Sequence, residues 1–510
     1  VRFDAAFALE AEFSPGVWTD ITEDVIDSAC RASYGIRNNH PSERIAGTGQ
    51  MFFELNNSQS NSARMIGYYS PGMYGARPGF THGLRIRAKF TYGEEPYYKF
   101  LGRIPKGGIN VEPGQWDSRR VSVEVRDWME QAATHEIRGY EVQTGLRADQ
   151  AMDVLIDDMP TDLQPENRSF DTGQDVFETV FDQAKAGSVL MSEAARLVAS
   201  ELGYLYVKRN QTDGETLVLE NRFTRYLRER ETIGGSYDAV FDQCADIYPE
   251  YGQQTYNRVR GRVYPRNVDS EPRILAQLQS PLYVNAGESI TFRISYRDPD
   301  NKTSNVTSID MLELTSSDYS FNQYKNGSGP DLSSDLDVSP AYYNSYVEVT
   351  FTNNGVIGGY VIQYEAWGYG IYAYDTVEHT AENGTVDLGA ETLELDMPYQ
   401  VDPIKAVVFS EYFLNEYGEP FAGVQWVEFV ANISDKNMLA FLEIEPGMRI
   451  GLIEAVSGIE HDFYVNGCEW STQTNIIRFR WYVSRTSDSS DNWARYDESV
   501  YDDAAEGYAI

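Results

Sequence analysis

Chemistry needs donors, acceptors or nucleophiles at fixed spacings, and this chain holds several partial patterns. Its five histidines are His40, His82, His135, His379 and His461. No two stand at a spacing that lets them share a metal ion. "HEIRG" from His135 starts like the zinc helix of a metalloprotease, but the second histidine position is Gly139, so half of the ligand set is missing. "DPDNKT" from Asp298 starts like a calcium loop. Lys302 and Thr303 then fill positions that require an oxygen ligand and a glycine. The sequence has no P-loop, no Gly-x-Ser-x-Gly turn and no dinucleotide fingerprint. With 78 aspartates and glutamates, two carboxylates at a glycosidase spacing need no more than abundance, and no pair is singled out. Cys30, Cys244 and Cys468 are odd in number, far apart and in no CxxC pair. They give neither a disulfide framework nor a zinc site. The expectation is a protein that is not an enzyme, with no catalytic, cofactor-binding or metal-ligating residues and no cofactor.

Two stretches carry polar groups that need an explanation. In "GLRIRAKF", Arg85, Arg87 and Lys89 make a basic face opposite Leu84, Ile86, Ala88 and Phe90. That face could take an anion; pairing with acids on a neighbouring strand or subunit is the expected use. In "RRVSVEVRDWMEQAA", Val121, Val123 and Val125 alternate with Ser122, Glu124 and Arg126, and the alternation stops at Asp127. Asp127 followed by Glu130 is a variant of the capping box, so the polar junction reads as a strand-to-helix transition rather than a catalytic corner. The many tyrosines could stack on sugars, although filling β cores and interfaces is their commoner use.

These residues must be positioned by a large framework. A chain of 510 residues implies three to five domains. It is 42% hydrophobic and 13% aromatic, enough for real cores, and its 36 tyrosines and 41 glycines favour β structure. The net charge of −36 excludes a surface that grips phosphate backbones everywhere. No apolar run approaches the length of a membrane span, and no signal peptide is visible in a sequence that begins at Val1. A soluble chain made in a reducing cytoplasm is expected.

The expected fold class is mainly β with an α+β insert: two tube-like β-barrels, a small helix-hairpin module and a β-sandwich. Residues 1–135 read as the first barrel, with "GQMFFELNN", "GLRIRAKF", "YYKFLGRI" and "RRVSVEVRDW" as its strands. Residues 136–235 read as the α+β module. One helix shows Ala148, Met152, Leu155 and Met159 on one face. A second shows Met191, Ala194, Val198 and Leu202, with Gly203 as its C-cap, and a hairpin turning at Asp213-Gly214 follows. Residues 236–400 read as a sandwich of about eight strands. Residues 401–485 read as the second barrel with a leading helix ended by Gly418 and Pro420. An acidic arm occupies 486–510.

The last β region echoes the first. "PGMRIGLIE", "HDFYVNGCEW" and "NIIRFRWYV" follow the order of "GLRIRAKF", "YYKFLGRI" and "RRVSVEVRDW". Arg85-Ile86 matches Arg449-Ile450, and Gly102 matches Gly467. The pattern implies two copies of one small β domain separated by inserted domains.

"WTDIT", "FELNN", "PGFTHGLRIRAKF", "KFLGRI" and "VSVEVRDWM" together resemble tail proteins of long-tailed, siphovirus-like bacteriophages. "SEAARLVASELGYLYVKRN", "TLVLENR", "YNRVRGRVYPR" and "LEIEPGMRIGLIE" extend the likeness over most of the chain, with residues 270–400 least covered. The nearest type is the baseplate or tail-tip hub. The resemblance implies a homotrimeric virion protein that joins tail tube to tip, its two barrels per chain giving a pseudo-sixfold ring around the genome exit channel. Implied partners are tail-tube or distal-tail ring proteins, tail-tip or fibre proteins and the tape-measure protein. DNA passes without specific binding, and host-surface contact is indirect. Its place is the virion, assembled in the bacterial cytoplasm. The alternatives are a distal-tail component, or a receptor- or carbohydrate-binding one using residues 270–400; a cell-wall or polysaccharide hydrolase ranks last.

Overall fold

Side chains two residues apart on a strand share a face, so strict apolar alternation buries one face and leaves the other polar. The computed structural model describes residues 3–38, 40–114, 119–184, 187–209, 214–373, 375–384 and 391–486, and the paired strands 493–494 and 507–508. The protein is mainly β, with five α-helices among the described residues.

Fourteen strands form the principal sheet. They are Ala6–Ser14 (β1), Val17–Asp20 (β2), Val25–Gly35 (β3), Gln50–Asn56 (β4), Arg85–Tyr92 (β5), Glu95–Arg103 (β6), Ile109–Glu112 (β7), Arg120–Arg126 (β8), Val240–Phe241 (β9), Asp246–Tyr251 (β10), Ala422–Val430 (β11), Arg449–Glu454 (β12), Ile459–Gln473 (β13) and Ile476–Arg485 (β14). The path runs β10-β11-β14-β13-β3-β4-β8-β6-β5-β1-β2, with β12 between β13 and β9, and β7 beside β8. In β8, Val121, Val123 and Val125 are buried while Ser122, Glu124 and Arg126 keep solvent contact, as the alternation predicts.

Two tube-like β-barrels were the expectation, and the described residues form no closed barrel. The path is open, ending at β2 and β10 among the described residues. The reason lies in β13. Its first half pairs with β12, from Ile459 to Tyr464, and its second half would be left with unpaired N–H and C=O groups along one edge. β3 supplies the missing partner. One core therefore serves both β regions, running from Leu9, Phe90 and Val123 to Phe429, Ile450 and Trp481. Phe90 meets the Phe441 and Trp470 rings edge-on at 5.0 and 5.3 Å.

Four further apolar cores lie outside this one among the described residues, the smallest around Val142, Ile309 and Ile371. Trp128–Thr134 (α1), Ala148–Asp157 (α2) and Leu190–Glu201 (α3) pack with the hairpin of Tyr204–Lys208 and Thr216–Glu220. Met152 and Leu155 are buried as expected, and Met159 is buried just beyond the end of α2. Leu202, rather than Gly203, takes the left-handed position after α3, at φ 57°. Gly203 is required for another reason, since a Cβ there would lie 2.2 Å from the Glu220 carbonyl oxygen. In the predicted turn, Asp213 lies outside the described residues, whereas Gly214 has φ +93°.

The sandwich is narrower in sequence than 236–400. Gly359–Ala373 pairs with strands on both sides, and the three-stranded sheet around Tyr346–Asn353 shares its core. Arg258–Val263, Val377–Glu382 and Thr392–Met397 form a separate sheet. Pro403–Tyr417 (α4) covers it, so this helix packs there rather than on the strands that follow it. Its aromatic residues explain the choice: Phe409 and Phe413 bury against Val259 and Leu395. Asp435–Glu443 (α5) packs on the principal core. The acidic arm at 486–510 lies outside the described residues, apart from Thr486 and the short strand pair.

Candidate functional site

The two β regions meet where β3 lies antiparallel to β13, in register from Cys30↔Thr472 to Gly35↔Gly467. Gly35 has φ +83°, and a Cβ there would lie 2.6 Å from the Asn466 carbonyl oxygen and 2.7 Å from Gly467 Cα. Only glycine satisfies both conditions. Asn466 is the extra residue of a β-bulge, because Val465 and Gly467 oppose the adjacent Val483 and Tyr482.

Beneath this seam lies a buried ionic cluster. Glu445, in the loop between α5 and β12, pairs with Lys99 of β6. The same carboxylate accepts from Tyr34 Oη at 2.9 Å and from the Arg209 backbone N–H at 3.1 Å. Lys99 also donates to the Leu442 carbonyl at 3.3 Å. Lys99 reaches inward because it too is a bulge residue: Ala88 opposes Phe100, Lys89 opposes Tyr98, and Lys99 is left between. The Arg209 guanidinium reaches Asp127 at 3.2 Å and Glu215 at 3.4 Å, and lies 4.4 Å from the Tyr34 ring centroid. Asp127 completes the cluster by accepting from Met129 N at 3.2 Å, which caps α1, and from Gly49 N at 2.9 Å.

The surroundings set the protonation states. Burial pushes the Tyr34 phenol well up, and the Glu445 charge adds to it. Burial raises the Asp127 carboxyl against the opposing pull of Arg209. Glu215 is pushed up to about 7, mainly by burial, with Arg209 opposing. Burial pushes the Cys30 and Cys468 thiols far up, so neither is a ready nucleophile. Each acid in the cluster is held by a cation or by N–H donors. Its chemistry is that of a clasp: removing one partner of such a buried pair typically costs about 3–5 kcal/mol.

A second clasp secures β12 and β13. Glu220 holds Arg225 at 2.7 Å and Arg228 at 2.9 Å. Arg225 donates to Asn466 Oδ1 at 2.7 Å, and Tyr464 Oη donates to the Arg225 carbonyl at 2.5 Å. Arg228 donates to the Gly447 carbonyl. Asp462 then takes both Arg449, at 2.8 Å, and Arg230, at 2.7 Å.

The residues singled out in the sequence fall as follows. Asp127 caps a helix, and it also anchors Arg209. Glu130 does not fold back to the Asp127 backbone, whose N–H goes to the Gly49 carbonyl; it pairs with Arg126 at 2.7 Å instead. The basic face is spent on the next strand: Arg85 pairs with Glu12 at 2.9 Å, Arg87 with Glu10 at 2.6 Å, and Lys89 with Glu10. Gly139, at φ +120°, packs against Tyr343 and Tyr346. Among the described residues no group of three or more His, Cys, Asp or Glu is arranged to hold a metal ion. Glu445, Lys99 and Arg209 escaped sequence reasoning. The one available signal was a lysine inside the aromatic run "YYKF".

No protein-family model matches the chain, and no curated protein matches it in sequence. Solved structures similar to it include the 43 kDa tail protein of prophage MuSo2 from Shewanella oneidensis, at 9% identity and a TM-score of 0.47, covering 94% of this chain and 98% of that one. A tail protein from Neisseria meningitidis is 11% identical with a TM-score of 0.45, covering 96% and 98%. A prophage tail protein from Listeria monocytogenes is 8% identical with a TM-score of 0.40, covering 95% and 97%.

Proposed function

We propose that this protein is a structural component of a phage-type tail, a homotrimeric hub joining tube to tip around the genome channel. One observation carries the reading. Two distant β regions of a single chain stand side by side in one sheet, joined at β3 and β13 over a shared core. A chain that supplies two β units gives six positions when three copies close around an axis, which reconciles a threefold hub with a sixfold tube. The sequence resemblance to tail hubs supports the same reading, and so does a cluster of acids fully committed to holding segments together.

The open face of the principal sheet suits a passage for DNA. Four of its arginines are paired with acids, Arg120 with Glu54, Arg126 with Glu124, and both Arg478 and Arg480 with Glu428, while Arg31 lies over the Phe52 ring at 5.0 Å. A face of interleaved charge holds a phosphate backbone weakly. The test is the symmetry of the assembled particle. Image reconstruction of tails should show three copies and six β units around the axis. A true sixfold ring with one β unit per copy would sink the hub and favour a distal-tail ring protein.

One observation favours a second role, recognition of a host surface by the sandwich. The Tyr283 and Tyr360 rings meet at a tilt with centroids 4.9 Å apart, Tyr283 is half exposed, and Val356 nearby in the chain is almost fully exposed. Exposed aromatic rings of this kind stack on sugars. Glycan binding by the whole protein, lost in Tyr283→Ala, supports that role, and the absence of any glycan binding removes it.

A further inference from the structure

A cavity of about 70 Å³ lies where the chain after β3, the α+β module, α4, the middle of β13 and the end of β14 converge. Its walls include Tyr204, Tyr226, Tyr412 and Phe413, together with the guanidinium groups of Arg44, Arg222, Arg225 and Arg485. The carboxylates of Glu43 and Glu416 also border it.

Three of these arginines hold a nitrogen that is buried and has no hydrogen-bond partner: Arg44 Nε, Arg222 Nε and Arg225 Nη2. Arg225 is 3% exposed and Arg222 8%. The remaining nitrogens of Arg222 and Arg225 are committed. Arg225 is held by Glu220 at 2.7 Å and Asn466 at 2.7 Å, and Arg222 by Asp175 at 2.8 Å. Arg44 donates to the Leu202 carbonyl at 2.5 Å and lies 4.8 Å from the Tyr204 ring centroid. A buried donor left unpaired costs about 1–3 kcal/mol. Three of them around one small cavity are an arrangement whose missing component is an acceptor. Burial keeps the Tyr226 and Tyr417 phenols protonated, so they add hydroxyl groups rather than negative charge.

We propose that this cavity binds an oxyanion, a carboxylate or phosphate head group, between Arg44, Arg222 and Arg225. The volume fits a single such group, and guanidinium forks are matched to oxygen pairs of this kind. An occupant would bridge α4, the module and the β13 bulge, adding to the Arg225–Asn466 hydrogen bond and the Lys405–Asp175 ion pair that already join them. Binding would therefore fix the insert relative to the principal sheet.

Isothermal titration of the full chain with inorganic phosphate, and separately with acetate, at constant ionic strength tests this and distinguishes the two head groups. One saturable site is expected, weakened at least tenfold in Arg44→Gln. Arg44 is the least buried of the three arginines, so its replacement leaves the Glu220 and Asp175 pairs in place. If Arg225→Gln fails to fold, Arg44→Gln still decides. Heats without saturation for both anions, or equal affinity in Arg44→Gln, would overturn the proposal, the donors then being satisfied by water.

Discussion

Arg85-Ile86 and Arg449-Ile450 open hairpins of the same kind, and the two hairpins are completed by opposite means. In the first region β1 runs antiparallel along β5, from Ala6↔Thr91 to Ala11↔Ile86, and brings the acids that neutralise Arg85, Arg87 and Lys89. The strand that completes this hairpin's outer edge comes from the same region, and the insert adds side-chain contacts, Glu166 to Arg85 and the Asp162 carbonyl to Arg103. In the last region the neighbour of β12 is β9, a two-residue parallel patch pairing Val240 with Gly451 and Phe241 with Leu452. Arg449 is held by Asp462 of its own hairpin and donates to the Arg228 carbonyl at 3.1 Å. The first hairpin is finished by local chain and the second by inserted chain. The same strand pattern makes the same unit, but in the last region the inserted segment has become part of the β structure.

The seam is where that comparison breaks most easily. Glu445→Ala should have the largest effect, about 3–5 kcal/mol of lost stability, because it strands the Lys99 ammonium in the core. Urea unfolding measures it. The double variant Glu445→Ala with Lys99→Met should recover part of the loss, since the orphaned charge leaves with its partner. If the single variant unfolds like the wild type, the clasp is not holding the regions together. Next comes Gly35→Ala, which places a Cβ against the Asn466 carbonyl with φ positive. A loss of about 1–3 kcal/mol is expected. Gly16→Ala is the control: its φ is +76° but nothing lies within 4 Å, so it should cost only the left-handed backbone strain, about 1 kcal/mol, and less than Gly35→Ala. A smaller effect is expected for Arg449→Ala, about 1 kcal/mol. It should speed proteolysis between residues 228 and 241 more than Arg85→Ala does, if inserted chain is what secures the second hairpin.

How much of this was legible in the sequence follows from which forces are local. Strand alternation is local, and it placed Val121, Val123 and Val125 inside and put Ile477, Phe479, Trp481 and Val483 on the buried face of β14. Helix signals are local, and they marked α2 and the end of α4 at Gly418. The repeat was legible only as far as the hairpins. Gly102 opposes Ile86, whereas Ile450 opposes Phe463, and Gly467 lies beyond the hairpin, opposite Gly35. The two matched pairs are nearly equally spaced along the chain, but the first hairpin runs from Ile86 to Tyr92 before it turns and the second only from Ile450 to Glu454, so the registers differ. β8, expected as the third strand of a meander, meets β6 at one residue pair and lies along β4 instead. The clasp was hidden because its members are distant in the chain: Asp127 reads as a helix cap, and Arg209 and Glu445 look like surface charges until the sheet brings them together.

The finest contrast between the two clasps concerns pH. Glu215 borders the first, with its carboxyl raised to about 7, chiefly by burial. An unfolded glutamate titrates near 4.3 (about that value in model peptides). Between those limits the folded chain holds a proton at Glu215 that the unfolded chain has released. The favourable contribution is therefore complete below about 4.3 and is lost as pH rises through about 7. Glu201, beside Arg222, is raised to about 7 for the same reason and adds a contribution of the same sign. Glu215→Gln keeps the shape of the side chain and removes its titration. It should flatten the fall in stability between about pH 5 and pH 7.5, measured as the urea midpoint across that range. Glu201→Gln should flatten it too, and the double variant should flatten it further. An unchanged slope in Glu215→Gln would mean that water reaches the carboxylate through the groove beside Asp127 and Trp128. The first clasp would then be wetter than the second, and the seam would owe its strength to the Lys99–Glu445 pair rather than to Arg209.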